Sequence, residues 1–382
     1  MLKKTRKITA LIITMILVLL LPACGSKESK GAYDKQKPFI ITFITVGKGD
    51  AFLLTMPDDS KYMIDTGKEE DFIQIGKVLK EKNVSKIDGI FLSHGHLDHT
   101  GGLKGILNTF DVEKIYMSEK DNVSYKKIDI ENIVSETDSE IVYLSGGESL
   151  DLGGVSADVW IPEKVDEENE NNNSVVIKFS YGKVSCLMTG DMELEEEMCY
   201  IEENKDLEAD ILKLGHHGET DATSDRLLGR VKASTGIICG NKEENPESVT
   251  IEMQSRMDRH NIKAIYSDPL YSSIDFIVNG EEYEVKYNEN INKTGESNIK
   301  VSEYSKKDET VILENTGSKK ADISDYVIVS DREKEVYVVP DGTFIEPGDT
   351  VVLNTGKMWK KKDKAVLYDN NFDYLNEFTR ED

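Results

Sequence analysis

The chain is short of the residues that carry most metal and redox chemistry: its 382 residues include six histidines, four cysteines and two tryptophans. Cysteines at unrelated spacings exclude a disulfide framework, and Cys186 and Cys239, inside apolar strand-like runs, read as buried thiols. Cys199 carries no functional signal either. Positive charge is scarce too, with 47 Lys and Arg against 72 Asp and Glu. The net charge of −25 excludes broad electrostatic adhesion to nucleic acid or to an anionic surface, so a polyanionic substrate has to be drawn in locally, by metal or by a patch. Long apolar runs are missing beyond residue 21, which leaves no material for a translocation channel.

What is present is concentrated. Ser93-His94-Gly95-His96-Leu97-Asp98-His99 holds three of the six histidines, and Lys213-Leu214-Gly215-His216-His217-Gly218 holds two more. His260, on the polar side of a helical run, reads as a surface histidine. Neutral imidazoles and carboxylates at this spacing are what a chelate for one or two borderline divalent ions requires. In an H-x-H-x-D-H turn after a buried strand, His94 and His96 can face one ion while Asp98 and His99 face a second. Asp191, in Thr189-Gly190-Asp191 at a strand end, is placed to bridge both, although taken alone it reads as a helix N-cap. His216 completes the second set. A hydroxide bridging two such ions would attack phosphorus or a carbonyl, so the pattern predicts a metal-dependent hydrolase.

The start of the chain has Lys3, Lys4, Arg6 and Lys7, an uncharged and mostly apolar run over 8–21, and then Leu21-Pro22-Ala23-Cys24. This is a secretory signal, too short for a spanning helix to be the better reading. Its end resembles a bacterial lipobox, which implies a signal over 1–23, lipid on Cys24, a polar tether over 24–37, and anchoring at the extracellular face of the bacterial cell membrane.

From residue 39, strand-like runs (40–46, 51–55, 62–65, 87–93, 114–117, 140–144, 175–179, 184–189, 236–239) alternate with helical ones at 72–82, 103–108 and 248–260. This order predicts a layered α/β domain over 38–287, followed by a polar linker at 288–298. Short strands punctuated by Asn315-Thr316-Gly317, Pro340-Asp341-Gly342 and Pro347-Gly348-Asp349 then predict a small all-β sandwich over 299–356. Residues 357–382 read as a basic, then polar, loose tail. Its lysines around Trp359 read as a solvated offset to the acidic chain, with contact to phosphate chains as the alternative.

With these runs in view, the chain resembles the metallo-β-lactamase fold, and within it the extracellular hydrolase domain of the ComEC competence family. The matching runs are Val46-Gly47-Lys48-Gly49-Asp50-Ala51, Met63-Ile64-Asp65-Thr66-Gly67, 94–102, 171–176, Thr189-Gly190-Asp191 and 212–218. The resemblance implies an αββα sandwich with two divalent metal ions, zinc or manganese, at the edge between its sheets. It also implies that Asp65 orients a ligand histidine from behind. One departure stands out: no histidine lies between His99 and His216 to give the first ion its third imidazole. Asn171, Asn172 and Asn173 occupy that stretch as weak ligands or substrate contacts, and an amide oxygen there favours manganese over zinc. Asn245 stands before a proline where related domains have a histidine near the substrate, and His217 is the replacement donor to the scissile phosphate.

The second sandwich resembles a lamin-tail domain through Ile312-Leu313-Glu314-Asn315-Thr316-Gly317 and 338–349, which implies attachment to a surface or wall ligand. Together these features point to a cell-surface phosphodiesterase or nuclease acting on DNA, with Asp98, Asp191 and His217 as catalytic residues. Two alternatives remain open: a teichoic-acid phosphoesterase of the cell wall, and a catalytically inactive surface-binding protein. A β-lactamase is a poorer match to the motifs.

Overall fold

A computed structural model describes residues 37–380 apart from 122, 126, 127 and 292. The expected signal sequence, Cys24 and almost all of the tether lie outside the described residues. Among the described residues no helix is long and apolar enough to cross a membrane.

Alternating apolar positions build the first sheet. In Phe39–Ile44, Phe39, Ile41 and Phe43 point into one core while Thr42, buried between them in sequence, donates its hydroxyl to Asp275 at 2.7 Å. This strand lies in an eight-stranded sheet ordered Tyr283–Glu289, Tyr271–Val278, Phe39–Ile44, Ala51–Thr55, Lys61–Thr66, Gly89–Phe91, Lys114–Ser118 and Glu140–Leu144. The facing seven-stranded sheet runs Lys263–Tyr266, Thr235–Ile238, Ile211–Lys213, Val184–Met188, Val176–Tyr181, Val155–Trp160 and Ser149–Leu152. Between the sheets, Phe43, Phe52, Phe91, Ile177, Phe179 and Cys186 belong to one continuous apolar core.

Helices close both outer faces. Phe72–Glu81 buries Phe72, Ile75, Val78 and Leu79, the expected helical stripe, against the first sheet together with Leu103–Thr109. Leu194–Glu203, Asp225–Val231 and Ile251–Arg259 cover the second sheet, the last two opened by the side-chain caps Ser224 and Thr250. The result is the αββα arrangement. The strand expected over 87–93 is divided: Lys86–Ile87 pairs with Asp111–Val112 in a separate ribbon, and only Gly89–Phe91 enters the main sheet. In both sheets the parallel strands Lys61–Thr66, Gly89–Phe91, Val184–Met188 and Ile211–Lys213 lead at their C-terminal ends into the histidine- and aspartate-bearing turns.

The all-β part departs from its expected limits. Lys364–Tyr368 and Tyr374–Thr379, expected within a loose tail, are strands, the first paired with Val327–Ser330 and the second with the first, so the sandwich runs on to Thr379 rather than stopping at 356. Trp359 is buried and stacked on Tyr304 at 4.8 Å, with its indole N–H donated to Thr355. It is therefore core, and is unable to stack on a ligand. Lys360 pairs with Glu333, and Lys364 with Asp331 and Glu377, which leaves the solvated-offset reading of that run.

The sandwich packs onto the first helical layer. Phe372 meets the Phe72 ring edge-on at 5.2 Å and lies over Gly76, where a Cβ would come within 2.2 Å of its ring. The Val336 N–H reaches Glu69, at the start of that layer.

Candidate metal centre

The turn after Gly89–Phe91 is shaped by contact as much as by sequence. At Gly95 a Cβ would meet the Ser124 carbonyl carbon at 2.3 Å, so only glycine fits between His94 and His96. The Gly95 N–H is held by Ser124 Oγ at 2.7 Å. The short helix Leu97–Thr100 then turns Asp98 and His99 inward, while Leu97 stays exposed.

Three histidines are each backed by a carboxylate at Nδ1. Asp65 Oδ2 lies 2.8 Å from His99 Nδ1, and Asp65 is itself fixed by the Ser93 N–H and hydroxyl, both at 2.7 Å. Asp50 Oδ1 lies 3.2 Å from His217 Nδ1, though without a hydrogen bond's alignment. Asp221 lies 3.0 Å from His216 Nδ1. The first two pairs aim at one point: His99 Nε2 and His217 Nε2 are 3.0 and 3.1 Å from Asp191 Oδ2, and His217 Nε2 is 3.2 Å from Asp98 Oδ2. Lys213 fixes the other oxygen of Asp191 at 3.1 Å, Asp50 at 2.6 Å and the Gly190 carbonyl at 2.6 Å. Asp191 thus turns a single oxygen, Oδ2, to the histidines.

His94 stands beside this group, its ring 4.2 Å from that of His99 and 4.6 Å from that of His96. Its Nδ1 meets Ser93 Oγ at 3.1 Å, and its buried Nε2 has no partner. His96 Nε2 lies 3.1 Å from Glu170 Oε2.

Burial and charge act against each other here. Burial works against charge on His217, yet Asp191, Asp50 and Asp98 raise its pKa to about 10. In the same way Asp191, Asp65 and Asp50 hold His99 well above the usual imidazole range. Burial, and after it the charge of His99, pushes His94 well below that range. Burial would raise Asp191, but His217, His99 and Lys213 outweigh it and keep it well below the carboxylate range. At Asp65 burial prevails and the pKa is raised. Lys213 thus serves Asp50 and Asp191 alone, and the carboxylates draw His99 and His217 toward their charged forms. A divalent cation among these nitrogens would meet the same demand, and an unpartnered buried Nε2 on His94 fits it too.

Of the expected residues, His94, His96, Asp98, His99 and Asp191 come together, with Asp65 behind His99. His216 and His217 exchange places. His217, expected to serve the scissile phosphate, is fully buried with both nitrogens against carboxylates, in the position expected for His216. His216 instead faces Asp221 and Glu193, with its Nε2 3.5 Å from the Asn171 amide. The cause is backbone: both residues have left-handed φ, 44° and 53°, and their rings part to 6.0 Å. Asn172 and Asn173 tie down the loop at Asp166, whereas the Asn171 amide donates to Glu193. Asn245 lies 3.4 Å from Glu219, which pairs with Lys48 at 3.0 Å. His260 pairs with Asp225 at the surface, and Asp191 caps no helix, since Glu193 holds the N-cap position of the next one.

Asp50, Glu170, Lys213 and Asp221 were not assigned roles from the sequence. Lys213 carried a signal: a lysine inside the apolar run 211–214 needs a buried acid. Glu170 and Asp221 lie in loops with no such mark.

The Metallo-beta-lactamase superfamily profile matches residues 44–240, and the Lamin Tail Domain profile matches 292–378. ComE operon protein 3 of Bacillus subtilis is 24% identical over 272 residues, covering 67% of this chain and 34% of that protein. Recombination protein 2 of Haemophilus influenzae is 29% identical over 154 residues, 40% of this chain and 17% of its own length. The chain therefore spans about a third or less of these relatives. The solved metallo-beta-lactamase fold protein YhfI of Bacillus subtilis covers 60% of this chain and 96% of its own at 13% identity, with a TM-score of 0.42.

Proposed function

Since the chain belongs to the metallo-β-lactamase superfamily and carries a lamin tail domain, we propose that it is a metal-dependent phosphodiesterase of the cell envelope, acting on a phosphodiester polymer such as DNA. The observation that carries this reading is the meeting of His99 Nε2, His217 Nε2 and Asp98 Oδ2 around Asp191 Oδ2, with His94 and His96 alongside. His94 and His96 would hold one ion, and Asp98, His99, His217 and Asp191 would hold the other. When bound, the two ions supply Lewis-acid polarisation of a phosphoryl oxygen and water acidified toward neutral pH.

The rest falls to the chain. Asp65 sets the tautomer and direction of His99, and Asp50 places its charge beside His217 Nδ1, so that each Nε2 is turned toward Asp191. Lys213 keeps Asp191 from rotating. Lys48, partly exposed and paired with Glu219 beside the histidine turn, is a cation that a phosphate chain can compete for in an otherwise acidic protein. The lamin tail domain supplies attachment to a surface or wall ligand, and lipid on Cys24 holds the protein at the membrane.

The test is turnover of bis-p-nitrophenyl phosphate, single-stranded DNA and teichoic acid by metal-stripped protein reloaded with zinc or manganese, alongside Asp98→Ala and Asp191→Ala. Metal-dependent turnover reduced by about a thousandfold in both variants is expected. DNA and teichoic acid then separate the nuclease from the wall phosphoesterase. Absence of turnover with either metal would reject the phosphodiesterase reading in favour of a binding protein.

A further inference from the structure

We propose that Arg256 is a positioning residue of the metal centre: from the outer helix Ile251–Arg259 its guanidinium holds the segment 220–223, which fixes the turn carrying His216 and His217. This deepens the reading above and rests on it for the ion.

Arg256 lies on the covered face of its helix beside Met253 and Met257, and is 7% exposed. A guanidinium in such a place costs free energy unless its donors are used. Nη1 donates to the carbonyls of Ala222 and Thr223 at 2.8 and 2.9 Å. Nη2 donates to the Thr220 carbonyl at 3.3 Å and to Glu252 at 3.0 Å. The Glu252 side chain stands mostly in solvent, so the backbone carbonyls are the partners that Arg256 meets on the inside. A planar fork that reaches three carbonyls within four residues fixes the course of that segment, as a flexible point charge does not.

What the segment holds is the second histidine turn. Thr223 Oγ1 accepts the Gly215 N–H at 2.9 Å, directly before His216. Gly215 is wedged in place: a Cβ there would lie 2.6 Å from the Met192 carbonyl oxygen and 3.0 Å from Ala222 Cβ. The Asp221 carbonyl accepts the Leu194 N–H at 2.9 Å, so the segment joins the chain that follows Asp191 to the chain that carries His217. The Asp221 carboxylate backs His216 Nδ1. Between these ties His216 and His217 keep left-handed φ, a conformation that persists only where the surroundings hold it. Arg256 thus acts on His217 Nε2, 3.1 Å from Asp191 Oδ2, through the backbone rather than by touching the ligands.

The experiment titrates metal-stripped full-length protein with zinc by calorimetry, and records the visible absorption of the cobalt(II)-loaded protein, which reports the geometry of the ligands. Arg256→Ala is expected to bind zinc about 10- to 100-fold more weakly, the loss that removal of an outer partner causes, and to shift the cobalt bands. Guanidinium below denaturing concentration should refill the vacated place and restore both, the reverse of its effect as a denaturant. Arg256→Lys, which keeps the charge but reaches fewer carbonyls, should fall between, and carries the test where the alanine variant does not fold. Arg259→Ala, which removes a surface pair with Asp225 on the same helix, should match wild type with and without guanidinium. Wild-type zinc affinity and cobalt bands in either Arg256 variant, or a loss in Arg256→Ala that guanidinium leaves unchanged, would overturn the inference and leave the proposed function standing. A wild-type protein that binds neither metal would overturn both.

Discussion

At the edge of the αββα sandwich, Asp50, Asp65, His94, His99, Asp191, Lys213 and His217 are each at most 2% exposed, whereas the lamin tail sandwich buries one charged side chain, Asp363. The two places treat that burial differently. Asp363 is fully served: it accepts from Ser330 Oγ and from the backbone N–H groups of Arg332, Lys360 and Lys364 at 2.8–3.2 Å. Among the described residues beyond 298, no buried polar side-chain atom lacks a partner. The first region leaves Asp50 Oδ1, His94 Nε2, Asn171 Oδ1 and both nitrogens of His217 without one. The lamin tail sandwich closes its polar network. A site that can receive a cation leaves its network open.

Breaking the open network should cost most. Lys213→Met removes the one permanent cation between Asp50 and Asp191, and the metal-stripped protein should lose about 3–5 kcal/mol in chemical denaturation. Added zinc should recover part of that loss; a deficit unchanged by metal would contradict the open-network account. Phe372→Ala tests the seam between the regions. It vacates the space over Gly76 and against Phe72, and should cost about 3 kcal/mol and divide one calorimetric transition into two. A single transition at the wild-type temperature would mean that the seam carries no coupling. In the closed network, Asp363→Ala should cost about 2–3 kcal/mol while turnover per folded molecule at low temperature stays at the wild-type value. A parallel loss of turnover would show that the two regions are not separable.

Much of this contrast is legible in the sequence, for physical reasons that also set its limits. Periodicity marks Phe72–Glu81 because one face of it is buried, and Ala51–Thr55 stands out as a short apolar run buried on both faces. The turn 94–99 stands out because its histidines are local and rare. Periodicity could not divide His216 from His217, since adjacent residues differ only through backbone torsions that no spacing rule reports. Asp50 and Asp221 act on rings more than a hundred residues, or a loop, away. In the sandwich, the lysines of 357–364 masked a strand whose inner residues Ala365, Val366 and Leu367 are buried, and drew Trp359 into a reading that its burial contradicts.

Asp71 is a half-buried carboxylate in the first region with no ion pair among the described residues. It lies under the glycine turns that pack on the metal turn: a Cβ on Gly49 would sit 3.3 Å from its Oδ2 and 3.1 Å from the Asp98 carbonyl. Burial raises its pKa to about 7, against the lowering effect of the Lys68 N–H at 2.8 Å. The folded pKa is above the unfolded one, so the folded state holds the proton more tightly. Its contribution to stability is full below about pH 4 and is lost as pH rises toward 7, by up to about 1.4 kcal/mol per pH unit. Asp71→Asn should therefore flatten the stability profile across that window, gaining on wild type with each unit of pH. If the two profiles run parallel from pH 4.5 to 7, Asp71 is already ionised in the folded protein.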